Sequence, residues 1–137
     1  MSQQANIESQ KSFGDEVNNG TLSFGELVAS DSVDHDPAPG QGAGPQGFTD
    51  FFTTMRAAFP DLHVEVETLL ANDTDVAFAY TLTGTHQGPF LGFAPTQKSF
   101  SVRGMQISRF ADGKLTERWG STDELGILQQ LGHAPTP

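Results

Sequence analysis

Between Leu62 and Ser121 apolar and polar residues alternate in four runs, and no other feature restricts the fold as strongly. Leu62, Val64 and Val66 alternate with His63, Glu65 and Glu67. Similar runs occupy 76–86, 99–110 and 115 to about 121. A period of two is the signature of a half-buried strand. The turn sequences ANDTD (71–75) and ADGK (111–114), the latter an Asp-Gly hairpin signal, make neighbouring runs pair antiparallel. The third connection, QGPFLGFAPTQK (87–98), is longer and broken by proline and glycine. A sheet that is apolar on one face needs a cover on that face.

The cover is written upstream. Phe48, Phe51, Phe52, Met55, Ala58 and Phe59 fall on one face of a helix, with Pro45 suited to its first turn and Pro60 just past its end. Before it come a polar helix over 3–18, frayed through about residue 10, and a short amphipathic helix over Thr21–Ser30 carrying Leu22, Phe24, Leu27 and Val28. An extended piece, Ser32–Asp36, leads into the eleven-residue loop PAPGQGAGPQG. A last helix over 124–131 places Leu125, Leu128 and Leu131 on one side. The expected architecture is one α+β domain over 1–137. A curved antiparallel sheet carries the N-terminal helices on its concave face and encloses a cone-shaped, ligand-sized space.

The net charge of −10 opposes binding to phosphate backbones and anionic lipid, so neither nucleic acid nor a membrane is an expected partner. There is no cysteine, hence no disulfide, thiol nucleophile or zinc–thiolate site, which fits a cytoplasmic protein. The opening residues lack the basic and apolar regions of a signal peptide. His35, Asp36, His63, His86 and His133 are metal-ligand types without metal-ligand spacing, so no metal is expected.

Asp123 sits where strand spacing turns into helix spacing. As an N-cap it would contribute about 1 kcal/mol. Ser121 and Glu124, however, also form an S-x-x-E capping box, which would release Asp123. Strand parity then puts Leu115, Glu117, Trp119, Ser121 and Asp123 on one face. A carboxylate beside Trp119 in an apolar cavity would be a usable acid/base, and the indole a flat wall for a planar ligand. His86 ends a strand, and His35 lies near the expected cavity mouth. In 99–110, parity offers either Arg103, Met105, Ile107 and Arg109, or Val102, Gly104, Gln106, Ser108 and Phe110, to the interior. The second set is favoured because arginines are easier to leave outside, and Gln106 then becomes a polar anchor. Gly92 and Pro95 turn the chain so that Phe90, Leu91 and Phe93 form a lip.

Three segments in this order, VNNGTLSFGELVASDSVDHDP, FFTTMRAAFPDLHVEVETLLANDTDVAFAYTLTGTHQGPFLGFAPT and GMQISRFADGKLTERWGSTDELGILQQLG, resemble the SnoaL-like polyketide cyclases, or ester cyclases, of the nuclear-transport-factor-2-like superfamily. The resemblance implies a cone-shaped α+β barrel, a homodimer or homotetramer formed through the sheet, and cofactor-free ring closure by intramolecular aldol condensation. It also implies an acid/base aspartate at the position of Asp123 and recurrence of the His86 motif. The expected enzyme acts on a small hydrophobic carbonyl or polyketide-like compound. Asp123 and His86 are its candidate catalytic residues, and His35, Met55, Phe59, Phe90, Gln106 and Trp119 hold the ligand. The rival readings are a non-catalytic binding protein of the same fold, an assembly module using the open sheet face, and a hydrolase that opens epoxides with an Asp–Arg–Asp cluster. Arg103 and Asp123 would be two members of that cluster.

Overall fold

A computed structural model describes residues 2–133. Helix α1 (Gln3–Asn19) is capped by the Ser2 hydroxyl, which accepts the Ala5 N–H, so the helix is already formed across the segment expected to fray. It ends on Gly20, whose left-handed backbone lets its N–H reach back to Glu16 and Val17. The expected helix over Thr21–Ser30 does not form. A turn at Gly25–Leu27 leads straight into strand β1 (Val28–Asp34). Leu115 N–H donates to Leu27 O, and β1 pairs parallel with the last strand. That long-range pairing outweighs the local helical spacing of Leu22, Phe24, Leu27 and Val28.

Helix α2 (Gly44–Ala58) has Pro45 in its first turn and buries Phe48, Met55 and Ala58. Arg56 in its last turn donates to the carbonyls of Val17, Pro60 and Leu62, tying the helix end to α1 and to the start of the sheet. Strands β2 (His63–Ala71), β3 (Asp75–Thr85), β4 (Ser99–Ala111) and β5 (Lys114–Thr122) pair antiparallel in sequence. The sheet order is β1-β5-β4-β3-β2. Helix α3 (Glu124–Gln130) closes the described chain with Ile127 and Leu131 buried and Leu128 partly so, while Leu125 is exposed.

Along β4, Phe100, Val102, Gly104, Ser108 and Phe110 are buried and Arg103, Met105, Ile107 and Arg109 are exposed, so the second parity set faces inward. On β5 the expected parity fails. Phe110 opposes Leu115, but Arg109 opposes Glu117, so Thr116 is an extra residue. This bulge turns Glu117 and Trp119 outward and brings Arg118, Gly120 and Thr122 to the interior. The helices lie over the concave side of the sheet, and an interior hollow remains between them. Among the described residues, no helix is long and apolar enough to cross a membrane.

Candidate functional site

The hollow has a volume of about 880 Å³. Its walls are mainly apolar: Phe13 from α1, Phe48, Phe52 and Met55 from α2, and Phe78 and Leu82 from β3. Phe90 and Leu91 form part of its lip. There the backbone makes a two-residue turn, with Leu91 at φ 48° and Gly92 at φ 82°, closed by reciprocal hydrogen bonds between Phe90 and Phe93.

Polar groups gather on the β1–β5–β4 side. Asp34, at the end of β1, is opposite Arg118 on β5. Arg118 Nη1 donates to Asp34 Oδ1 at 3.0 Å, and the pair is largely shielded, with side-chain exposures of 17% and 10%. Arg118 Nε donates to Gln106 Oε1 at 2.8 Å, and Gln106 Nε2 donates to the buried Ser108 hydroxyl at 2.9 Å. Gln41 Nε2 donates to the other Asp34 oxygen at 3.0 Å. Both carboxylate oxygens are thereby occupied, and the guanidinium is fixed in orientation. Its Nη2 makes no hydrogen bond to any described residue. It lies over Gly120, where a Cβ would come within 2.7 Å of it. Gly120 N–H donates to Asp36 Oδ2 at 2.9 Å, leaving Asp36 Oδ1 without a partner among the described residues. Arg118 Nη1 also approaches the main-chain carbonyl of Asp36 at 3.4 Å, so the Asp34–Arg118 ion pair and the more exposed Asp36 carboxylate lie side by side on the cavity wall.

A second polar element crosses the floor. Tyr80 on β3 reaches over Gly104 on β4 and shares a 2.5 Å hydrogen bond with Thr122 on β5. Only a glycine permits this, since a Cβ on Gly104 would lie 2.2 Å from the Tyr80 ring.

The expected site residues divide. Met55, Phe90 and Gln106 line the hollow. Phe59 does not: it is fully buried in the core against Phe90, Phe100 and His86. Trp119 and His35 are on the outer face, stacked on one another at 4.6 Å, because the bulge reverses the parity of β5 and because His35 alternates with the inward Asp34 and Asp36. His35 Nε2 meets Glu117 at 3.1 Å. Arg109, bonded to Asp75 and Glu117, lies over the indole at 5.2 Å. Arg109 holds the Asp75 carboxyl below the ordinary range, and His35 followed by Arg109 does the same for Glu117.

Asp123 is exposed and does not line the hollow. Its Oδ1 accepts the Gly126 N–H at 2.8 Å as the N-cap of α3. Ser121, still paired with Met105 in the sheet, cannot cap the helix in its place. Arg103 is also exposed, and its contact with Asp123 is a backbone hydrogen bond. His86 is fully buried behind the lip rather than in the cavity wall. Its Nδ1 accepts from the backbone N–H and the hydroxyl of Thr96, so the neutral ring carries its proton on Nε2. Burial, reinforced by His133, pushes its pKa below 6.5. No group of three or more potential metal ligands occurs among the described residues.

Asp34, Arg118, Tyr80 and Thr122 were not singled out from the sequence, and Asp36 was considered only as a metal ligand. The alternation of aspartates in VDHDP held a signal for two of them. Arg118 and Thr122 needed the bulge to be seen first.

The family model described as SnoaL-like polyketide cyclase matches residues 10–131. The chain is similar to nogalonic acid methyl ester cyclase of Streptomyces nogalater, with 31% identity over 90 residues, 65% of this chain and 67% of that one. It resembles the solved structure of IdmH from Streptomyces antibioticus at a TM-score of 0.82 and 28% identity, covering 93% of this chain and 98% of that one. TsrD from Streptomyces laurentii shares the fold at a TM-score of 0.87 and 22% identity, covering 97% and 98%.

Proposed function

Because this chain belongs to the SnoaL-like polyketide cyclase family, we propose that it closes a ring in a flat, hydrophobic carbonyl compound by acid/base chemistry in the 880 Å³ hollow. The observation that carries this reading is the free Nη2 edge of Arg118, held in place by Asp34 and Gln106 and facing the hollow over Gly120.

A C–H between carbonyl groups is acidified by the substrate itself. Asp36 Oδ1 takes that proton, and negative charge moves to the carbonyl oxygen. Arg118 Nη2 and the hydroxyl pair of Tyr80 and Thr122 stabilise this oxyanion with donors already oriented before the reaction. The enolate carbon then attacks a second carbonyl of the same molecule. One C–C bond forms, and the new alkoxide takes back the proton that Asp36 holds. The apolar walls hold the chain folded so that the two carbons meet. The reaction as written consumes no cofactor.

The first substrate to test is the methyl ester named for the Streptomyces nogalater relative, together with simpler aromatic β-diketones. Turnover and solvent-deuterium exchange at the acidic carbon should both fall at least about 100-fold in Arg118→Met, the scale seen when an oxyanion donor is removed. Unchanged exchange in that variant refutes the assignment.

The Asp34–Arg118 ion pair, with the Asp36 carboxylate beside it on the wall, supports a second reading, water activation for epoxide opening, in place of the Arg103 and Asp123 expected for it. Incorporation of labelled water into a diol from an epoxide panel would support it; inertness toward the whole panel would remove it. In either case a second copy of the chain would pack on the outer sheet face, where Met105 and Ile107 are exposed.

A further inference from the structure

We propose that Gln10 is a specificity-determining residue that binds a hydroxyl group of the ligand, at the opposite side of the hollow from Arg118. The inference rests on the reading of the hollow as a ligand site. Gln10 is only 6% exposed and lines the cavity, yet its amide makes no hydrogen bond to any described residue, and its Oε1 is shut away from solvent. A buried amide without a partner costs free energy, so its retention at this point needs a reason.

Its position follows from two tethers. Asn6 Nδ2 donates to Asp73 O at 2.9 Å, and the Asn18 amide bonds both the N–H and the C=O of Val64. Helix α1 therefore runs along β2 in the opposite direction. Gln10 is one turn beyond Asn6, about 6 Å along the axis, which is about two strand residues from the β2–β3 turn. That places it at the level of Leu69. The register across the sheet at this level runs Leu69, Phe78, Gln106, Gly120. Gln10 thus stands over the β2 end of a row whose β5 end carries the Arg118 guanidinium. Three strand spacings separate those ends, roughly 14 Å along the sheet. Phe78 lies between them, and the aromatic side chains of α1 and α2 face it from above.

A polycyclic ligand whose carbonyl end meets Arg118 would extend its far ring over Phe78 to Gln10. A ring hydroxyl there satisfies either face of the amide, donating to Oε1 or accepting from Nε2. The ligand class is accordingly a planar carbonyl compound with a hydroxyl at the end remote from the reacting carbonyl. A ligand lacking that hydroxyl would leave the buried amide unpaired, and this rejects it.

The test uses anthraquinone and its β-hydroxy derivative as probes, titrated calorimetrically against the full chain. Wild type should bind the hydroxylated probe more tightly. Gln10→Leu should erase about tenfold of that preference while leaving anthraquinone itself within about twofold. Arg118→Met should weaken both probes alike. With no ligand present, Gln10→Leu should unfold at a temperature no lower than wild type, because no protein hydrogen bond is lost. A fall of more than about 2 °C, or failure to fold, would show that the amide serves the structure and would overturn the proposal. Equal changes for both probes, or none, would overturn it while the Arg118 effect keeps the cavity reading alive. If wild type binds neither probe, both readings fall.

Discussion

The substitution Gly104→Ala adds one methyl group at the point where Tyr80 crosses β4. The new Cβ would lie 2.2 Å from Tyr80 Cζ and 2.3 Å from its hydroxyl oxygen, against a comfortable separation of about 3.5–4.0 Å. The phenol must lift by more than an ångström, and the 2.5 Å bond to Thr122 cannot survive that movement. Forced overpacking costs about 1–3 kcal/mol and the lost hydrogen bond about 0.5–1.5. Replacing a strand glycine by alanine returns about 0.5–1 kcal/mol of chain entropy. The net loss is about 0.5–4 kcal/mol. A chain of this length shifts its midpoint by about 3.5 °C per kcal/mol, so thermal denaturation should move down by about 2–14 °C. The double-mutant cycle supplies the control. In a Tyr80→Leu background the crossing ring is gone, and Gly104→Ala should be neutral or stabilising. An equal cost in both backgrounds, or no cost in wild type, would refute the placement of Tyr80 over Gly104 and the oxyanion contact built on it.

Asp123→Ala should lower stability by about 1 kcal/mol in urea denaturation, the worth of a helix cap, and leave turnover on any substrate of the wild type essentially intact. Abolished turnover with retained folding would restore Asp123 to the mechanism. His86 is neutral in the fold, with a pKa depressed first by burial and then by His133, so the unfolded chain takes up its proton first on acidification. The stability this provides is complete above pH 6.5 and is lost as the pH falls from there through the lowered folded value. Urea midpoints between pH 7.5 and 5 should therefore decline in wild type and decline less in His86→Gln; parallel curves would contradict the assignment. On the outer face, Met105→Glu with Ile107→Glu should shift the chain to monomer in sedimentation while preserving its fold, and an unchanged species distribution would place assembly elsewhere.

Elements whose burial is decided locally were legible. The stripe from Phe48 to Ala58 is helical and buried on one side because Phe48, Phe51, Phe52, Met55 and Ala58 fall within one arc. The Asp-Gly turn forms as its residues require, with Asp112 at φ 52° and Gly113 at φ 79°. The inward face of β4 could be chosen because one set carried two arginines and the other none. Residues 21–30 defeated the same reasoning. Leu22, Phe24, Leu27 and Val28 satisfy helical spacing, but Val28 is pinned to Leu115, far along the chain, and no local pattern announces a parallel partner. Leu22 itself adopts φ 56°, which no helix would accept.

The site was misread for one reason above others: a single extra residue. Counting by twos from the buried Leu115 brings Trp119 and Asp123 inside, a Trp–carboxylate pair with plausible chemistry. Thr116 breaks the count, and everything after it changes sides. Trp119 goes out to His35 and Arg109, and Arg118 comes in to Asp34 and Gln106. Bulges cluster beside turns and active sites because they re-aim side chains, and this one follows directly on the 111–114 hairpin. Charge offered the independent check that parity lacked. An arginine enters a greasy cavity only with partners, and Asp34 on the neighbouring strand, Gln106 and the Asp36 carbonyl supply them. An inward Glu117 would have had none on its own face of β4, where the residues are Gly104, Gln106 and Ser108. Deleting Thr116 should therefore remove the bulge and keep the wall, because Glu117 then follows the inward Leu115 directly and stays outward opposite Arg109, while Arg118 stays inward opposite Ser108. A deletion variant that folded but lost the ligand binding of wild type would disprove this account of the wall.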